Sequence, residues 1–550
     1  MQRATKRLES EVFDLLVIGG GIHGAALARE AATRGLRTAL VEQADFCSGA
    51  SANSLKIMHG GLRYLQQADV PRVLQSIRER AILLRSAPHL VRPMPCIMPT
   101  QGLGMKSRPA LALGMLANDF LSATRNRGLP PSRHIPNGGT FSRAECLRLL
   151  PWLKDSAVTG GARWYDALAL DTERLVIAIL KSADAAGAAL ANYTKAEGVI
   201  VEHGQVTGVT VRDAISGLTF PVRAHTVVNA AGPWSPELLG GISRPLPAGV
   251  NLSLAINLVL KNWPVTENAV GLQSAENRRL FFFVPWRGAA MAGTYYRAHN
   301  GPLSGMRVSE ADITTYLDML NTCLPGVRLV PDDILTVQAG IMPTQGVFQE
   351  GREPVMLRHF QFTDHGQEGG PSGLYSVLGV KYTTARAAAE IAIDAIVRRC
   401  GLRAGPSVTR HTSITGGDTP DAAQLPAALR AMRPSMDETR ADRLATLYGT
   451  EAAAIVKRAQ QNEGPETCAD ALLRAEIGFV LEDEMPQSLG DLLYRRMGTA
   501  NAGSPDNQHV RDCARLMGAA RGWNAEREAR EVKAVLDAPN LWQAACAQTP

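Results

Sequence analysis

Gly19, Gly21 and Gly24 follow the apolar run Phe13-Asp14-Leu15-Leu16-Val17-Ile18, and the next such run, Thr38-Ala39-Leu40-Val41, ends at Glu42. Glycines at that spacing let backbone approach a pyrophosphate, and a helix starting there aims its unsatisfied N–H groups at the phosphate charge. An acid closing the second run takes both hydroxyls of an adenosine ribose, which disfavours a 2′-phosphate and so NADP. These types and spacings predict a dinucleotide site, against the plainer alternative of a βαβ unit with a glycine turn.

The elements that must position these groups surround them. Residues 25–34 are expected as a helix, Gly35 sits where a left-handed cap is wanted, and residues 37–41 form the second strand. Residues 70–84 have helical spacing at Val73, Leu74, Ile77, Ile82 and Leu83, and Pro93 and Pro95 are expected to end that element. Residues 101–133 carry apolar Leu111, Leu113, Met115, Leu116, Phe120 and Leu121 between Lys106, Arg108, Arg125, Arg127 and Arg133. That pattern fits a buried helix with a solvated rim or a membrane-surface helix. Short alternating strands fill residues 196–228 and end in Asn229-Ala230-Ala231-Gly232-Pro233-Trp234, where small residues let a strand lie against a flat cofactor. Residues 252–293 and 335–357 are strand-rich, a substrate-covering sheet within 250–357. Residues 374–379 are a further buried strand, followed by Lys381-Tyr382-Thr383-Thr384 and a helix to about 399, with the threonines as N-cap candidates. After Gly405-Pro406 the composition shifts to alanine- and arginine-rich helices. The expected division is a bilobal unit over 1–405 and a helical domain over 406–550.

With 550 residues, 45% hydrophobic and 20% charged, the chain has the balance of a soluble globular protein of two or three domains. Its net charge of +6 is spread along the chain without a dense basic tract, so nucleic acid is not an expected partner. Eight cysteines without a C-x-x-C pair suggest neither a metal site nor a redox dithiol, and fit reduced thiols in the cytoplasm. No apolar run approaches the roughly twenty residues of a spanning helix. Residues 12–18 run into the glycine turn and not into a small-residue cleavage site, so they are expected as the first strand and not as a signal-peptide core. A second G-x-G-x-x-G is absent, which points away from NAD(P)H as electron partner.

Together with the glycine motif, Leu55-Lys56-Ile57-Met58-His59-Gly60-Gly61-Leu62-Arg63-Tyr64-Leu65, the Asn-Ala-Ala-Gly strand end and Gly379-Val380-Lys381-Tyr382-Thr383-Thr384 make a chain that resembles flavin-dependent glycerol-3-phosphate dehydrogenases. The likeness runs from about residue 14 to 399, and Asp491-Leu492-Leu493-Tyr494-Arg495-Arg496 resembles the family's C-terminal helical region. It implies a Rossmann-like FAD-binding fold of the glutathione-reductase/D-amino-acid-oxidase type with a strand-rich substrate domain and a C-terminal all-helical domain. It also implies noncovalent FAD, oxidation of a secondary alcohol on a phosphorylated three-carbon substrate, and electrons passed to membrane quinone or another acceptor, from a cytoplasmic protein peripheral on the inner membrane face. The oligomeric state stays open, a homodimer being one option. Cofactor contacts are expected from Gly19, Gly21, Gly24, Glu42, Ser51, Ala196, Ala231, Gly232, Gly379, Lys381, Thr383 and Thr384.

Taking hydride from a carbinol carbon needs an acceptor for the hydroxyl proton and fixed positive charge for an anionic substrate. His59, beside Gly60-Gly61, is the best proton acceptor by type, or else a structural histidine bonded to backbone. Arg63 offers a planar fork for phosphate, or a surface salt bridge. Lys381 could stabilise a reduced ring or bind the substrate oxyanion, and Tyr64 could bond the substrate or pack. Three departures from the family stand at substrate-facing positions: Gly340-Ile341-Met342-Pro343 lacks an arginine, Gly293-Thr294-Tyr295-Tyr296 lacks an acid and adds two rings, and Val380 replaces a glycine. They imply weaker binding of glycerol 3-phosphate, with Arg297 first and Arg278 or Arg279 next as compensating charges. They also leave open a different hydroxy acid or amine as substrate, or a flavin-binding module with little turnover.

Overall fold

The computed structural model describes residues 1–65, 69–102, 107–154, 156–240, 249–261, 267–274, 279–299, 301, 303, 306–346, 354–461, 471–503 and 505–538, without the side chains of Arg63 and Leu65. Its centre is a six-stranded sheet in the order Gln361–Asp364, Leu374–Leu378, Val227–Asn229, Leu15–Ile18, Thr38–Val41, Ala189–Ala191. Five strands are parallel, with Leu16 opposite Val227 and Leu15 opposite Thr38, and only the Gln361–Asp364 edge runs antiparallel. All four residues of Leu15–Ile18 are buried, as expected of a parallel strand covered on both faces. Helices Ile22–Thr33, Thr172–Ala185 and Ala385–Cys400 pack together on one face, where Ala25, Ala28, Ala31, Ala389 and Ala392 permit close approach. The other face carries a four-stranded sheet made by Val12–Phe13, Thr219–Ala224, Gln205–Asp213 and Thr194–Glu202.

A ten-stranded sheet forms the second lobe. It contains the expected strands Val250–Leu260, Ala269–Gln273, Leu280–Trp286, Ala289–Ala298 and Ile334–Gln345, but also Val91–Gln101, Val158–Ala169 and Ile57–Met58. Pro93 and Pro95, expected to end a helix, instead lie within an eleven-residue strand together with Pro99. All three prolines have the same parity, so the missing N–H donors fall on one edge and the ladder of the other edge survives. The helix before them, Val70–Ser86, starts with the Asp69 carboxylate accepting the Arg72 N–H at 3.3 Å.

The described residues between Leu425 and Asp537 are mainly helical, with an apolar core that includes Leu444, Ile455, Val480, Leu493 and Val510. Buried charges tie these helices to the rest. Asp45, three residues beyond Glu42, accepts from Arg495 Nε at 2.6 Å and from Arg496 at 2.7 and 2.8 Å. Glu484 accepts from Arg174 at 2.5 and 3.0 Å, and Lys181 lies 3.4 Å away. The two arginines at Asp45 hold that carboxyl well below the usual range despite its burial. Removing one member of such a pair strands the others in low dielectric. Asp45→Ala is therefore expected to cost about 3–5 kcal/mol of stability, measured by denaturant unfolding, whereas an unchanged midpoint would show that the pairs contribute nothing.

Candidate active site

Strand Leu15–Ile18 runs into Gly19, whose φ of +109° is left-handed and where a Cβ would lie 2.6 Å from the Ala230 carbonyl oxygen. Gly21 is the N-cap of helix Ile22–Thr33, and at Gly24 a Cβ would meet the Gly19 oxygen at 1.8 Å. Strand end and helix start therefore touch through bare backbone. The Glu42 carboxylate accepts from Gly20 N–H at 2.6 Å and Ala44 N–H at 2.9 Å, and Ser51 Oγ accepts from Ile22 N–H at 3.0 Å. Burial pushes the Glu42 carboxyl up.

The cradle opens into a cavity of about 1030 Å³. Gly19, Gly21, Glu42, Ser51, Ala196, Ala231, Gly232, Gly379, Lys381 and Thr383 line it, as do His59 and Tyr64. Gly24 works behind the wall, by letting the helix approach. Thr384 does not line the cavity and, although it is the N-cap of Ala385–Cys400, its side chain makes no capping bond. The cap expectation is corrected there: it is the Thr383 hydroxyl that is engaged, accepting the His59 N–H at 3.1 Å. Gly379 has its own steric reason, since a Cβ would lie 2.2 Å from His23 Nε2. Burial pulls His23 down to about 4, so it adds no charge to the cradle at neutral pH.

At the far end His59 has a half-exposed ring with Nδ1 4.0 Å from Asp166 Oδ2. Asp166 is buried and accepts from Gly60 N–H at 2.5 Å, Arg80 Nη1 at 2.9 Å and Trp164 Nε1 at 3.1 Å. Gly60 is needed because a Cβ would sit 2.2 Å from Arg80 Nη1. The Lys381 ammonium donates to the Arg358 carbonyl at 3.1 Å and stands 4.4 Å from the Tyr64 ring centroid. Burial first, and then repulsion by Arg72, pull it down to about 7. The Lys56 ammonium, by contrast, is absorbed by Glu173 at 3.3 Å and Thr172 at 2.9 Å.

Two expectations on this side change. Arg297 does not line the cavity; its Nε donates to Asp312 at 2.6 Å. Tyr296 faces the cavity, but Tyr295 points the other way and stacks on Tyr316 at 5.4 Å. Strand alternation is the cause: residues 294 and 296 face one side, 295 and 297 the other. Arg279 is also outside the lining and donates to the Thr294 carbonyl at 2.7 Å. Arg278 and the Arg63 side chain lie outside the described residues. Met342 does line the wall. Asp166, Arg80, Arg72 and His23 were not singled out from the sequence; a lone acid inside the buried run of strand Val158–Ala169 was the available signal for Asp166.

A glycine-cradled, mainly parallel sheet joined to a large mixed sheet across one cavity defines the class of two-lobed flavin-dependent oxidoreductases. Residues 14–395 match the model of the FAD dependent oxidoreductases, and residues 407–528 that of the C-terminal domain of alpha-glycerophosphate oxidase. The chain is 32% identical to glycerol-3-phosphate dehydrogenase 2 of Mycobacterium tuberculosis, over 98% of this chain and 91% of that protein. It is 30% identical to the aerobic glycerol-3-phosphate dehydrogenase of Staphylococcus aureus, over 90% and 88%. The glycerol-3-phosphate dehydrogenase of Bacillus halodurans, solved with FAD, superposes with a TM-score of 0.77 at 26% identity, over 98% and 97%. The chain belongs to the FAD-dependent oxidoreductase family, and FAD is its cofactor.

The residues present fit that group: bare backbone at Gly19, Gly21 and Gly24 for a pyrophosphate, Glu42 for a ribose, and small residues Ala231, Gly232 and Gly379 for a flat ring. Gly24→Ala forces a methyl against the Gly19 oxygen and is expected to strip the protein of most of its flavin, read as the ratio of visible to ultraviolet absorbance. A fully yellow variant would place the pyrophosphate elsewhere.

Proposed function

We propose that this protein oxidises the secondary alcohol of sn-glycerol 3-phosphate to dihydroxyacetone phosphate and passes the electrons to quinone or another acceptor. The observation that carries this reading is the meeting of His59 and Lys381, distant in sequence, in one cavity with the glycine cradle, the Thr383 hydroxyl holding the His59 backbone. The relatives' activity supports the choice of substrate. When bound, FAD supplies the hydride-accepting chemistry. The His59 imidazole takes the hydroxyl proton, and Asp166 gives the resulting imidazolium a counter-charge. Lys381, poised at about 7, becomes fully charged as an anion enters and holds the developing oxyanion. We infer noncovalent attachment; of the two side chains that could carry a covalent link, Cys47 and His59, the Cys47 thiol lines the cavity but is pushed up by burial, away from the reactive thiolate.

We assign the catalytic unit to residues 1–405 and a helical domain to 406–550. Met342 in the cavity wall is the observation favouring a second reading, oxidation of a different hydroxy acid or an amine. Anaerobic bleaching of the flavin by a panel of alcohols and amines separates the two, glycerol 3-phosphate being expected to bleach it fastest. His59→Ala and Lys381→Ala are each expected to lower kcat by roughly 10²–10³-fold with flavin content intact. Wild-type turnover in both would remove these residues from the mechanism.

Among the described residues no helix is long and apolar enough to cross a membrane. Peripheral attachment is instead assigned to helix Arg108–Leu121. It buries Leu111 and Met115 on one side and leaves Leu113, Leu116 and Phe120 70%, 68% and 83% exposed on the other. Those three share a face at helical spacing, with exposed Arg108 and Arg127 nearby, the pattern of a surface that inserts into anionic lipid. Of the expected basic flank, Arg125 is instead buried and bonded to Ile135 and Ser122. In flotation with vesicles containing anionic lipid, the protein is expected to float and a Leu116→Glu/Phe120→Glu variant to remain below. Equal behaviour of the two would mark the helix as an ordinary surface.

A further inference from the structure

Arg72 is the cation that neither the glycine motif nor the family-like segments brought forward. It stands in the first turn of helix Val70–Ser86, is only 7% exposed, and lines the cavity beside His59 and Tyr64. Its guanidinium lies 3.8 Å from the Tyr64 ring centroid, and Lys381 Nζ lies 4.4 Å from the same ring. Two cations thus converge on one aromatic side chain in a partly desolvated wall. The carboxylate nearest Arg72 is Asp69, 3.9 Å away and beyond hydrogen-bond reach, while Arg72 Nε is buried without a hydrogen-bond partner. Arg80, by contrast, meets Asp166 at 2.9 Å, and part-buried Arg386 meets Glu79 at 2.6 Å. Buried like charges repel unless an anion joins them.

The opposite deficit lies on the same cavity. Met342, where the family resemblance leads one to expect an arginine, contributes no charge, and Arg297 is held by Asp312. We propose that Arg72 is an arginine that recognises the substrate's phosphate in this chain, supplying from the helix the charge that strand Ile334–Gln345 lacks. The guanidinium, stacked by one face on Tyr64, keeps its edge N–H groups for the oxygens of a phosphate monoester dianion, and Lys381 contributes the second positive charge. This inference rests on the reading of the substrate as a phosphorylated three-carbon alcohol, and it accounts for retention of that substrate despite Met342.

The test uses holoenzyme of wild type, Arg72→Gln, Arg72→Lys, Met342→Arg and the Arg72→Gln/Met342→Arg double variant. Steady-state kinetics with glycerol 3-phosphate is paired with titration of the bound flavin's absorbance by inorganic phosphate. Arg72→Gln is expected to raise both KM and the phosphate Kd about ten- to a hundredfold with kcat nearly unchanged, as loss of one charged phosphate contact does. Arg72→Lys should recover part of the loss and the double variant most of it, while Met342→Arg alone gains little. Unchanged KM and phosphate Kd in Arg72→Gln would overturn the assignment, as would an affinity loss that neither Arg72→Lys nor the added Met342→Arg repairs. Wild type inert toward glycerol 3-phosphate would remove the functional reading, whereas a phosphate Kd that still rises in Arg72→Gln would uphold the anion site by itself.

Discussion

The cavity is placed by one steric constraint, the contact of the Gly24 backbone with the Gly19 carbonyl, where a Cβ would stand 1.8 Å from the oxygen. Because helix Ile22–Thr33 can approach the strand end so closely, its first N–H groups project into the space beyond Ile18. Two further contacts of the same kind bring distant segments to that space. Gly379 closes on His23 and Gly340 on Ala50, where Cβ atoms would meet neighbours at 2.2 and 3.0 Å. The wall that carries Lys381 and the wall that carries Met342 are thus both referred to the cradle. A side chain at any of these glycines would move a reacting group relative to the nucleotide, which affects orientation as much as stability.

Around this core the charges follow two different rules. Lys56 with Glu173, Arg80 with Asp166, Asp45 with Arg495 and Arg496, and Arg174 with Glu484 are buried and directly paired, Lys56 and Asp166 at the cavity wall itself. Desolvation makes such groups costly alone, so pairing fixes the relative positions of the elements that bear them. Asp45 has a second consequence: it belongs to the loop after Glu42, the residue that would hold the ribose, so the C-terminal helices clamp that loop. At the substrate end Lys381 departs from this rule: among the described residues it has no carboxylate within ion-pair distance. A site that must admit an anion cannot spend its cations on internal carboxylates.

What was legible in the sequence was local. The glycine cradle, Glu42, and the strand followed by Lys381 are each specified within a few residues, and their types announce their chemistry. What was missed depends on partners far along the chain. Asp166 acquires its meaning from Arg80 and His59, and Arg72 from Tyr64 and Lys381, none of which spacing reveals. Strand Val91–Gln101 is hidden in the sequence because Pro93 and Pro95 count as breakers; their shared parity matters only once the strand has a partner on one edge. Arg297 failed for the simplest reason, since a neighbour of Tyr296 in sequence lies on the opposite face of a strand.

The pairing of Asp166 also bears on how His59 works. Both Asp166 oxygens already accept hydrogen bonds, from Gly60 and Arg80 on one side and Trp164 on the other, and the 4.0 Å separation from His59 Nδ1 is too long for another. Asp166 therefore acts on His59 as a fixed charge and not as the next carrier of the proton. Arg80, 2.9 Å from it, offsets much of that charge. In the proposed mechanism Asp166 therefore offers the imidazolium formed on His59 only part of a counter-charge. A stronger pull would trap the proton on His59, whereas a half-exposed ring beside a largely neutralised carboxylate can return it to water before the next turnover.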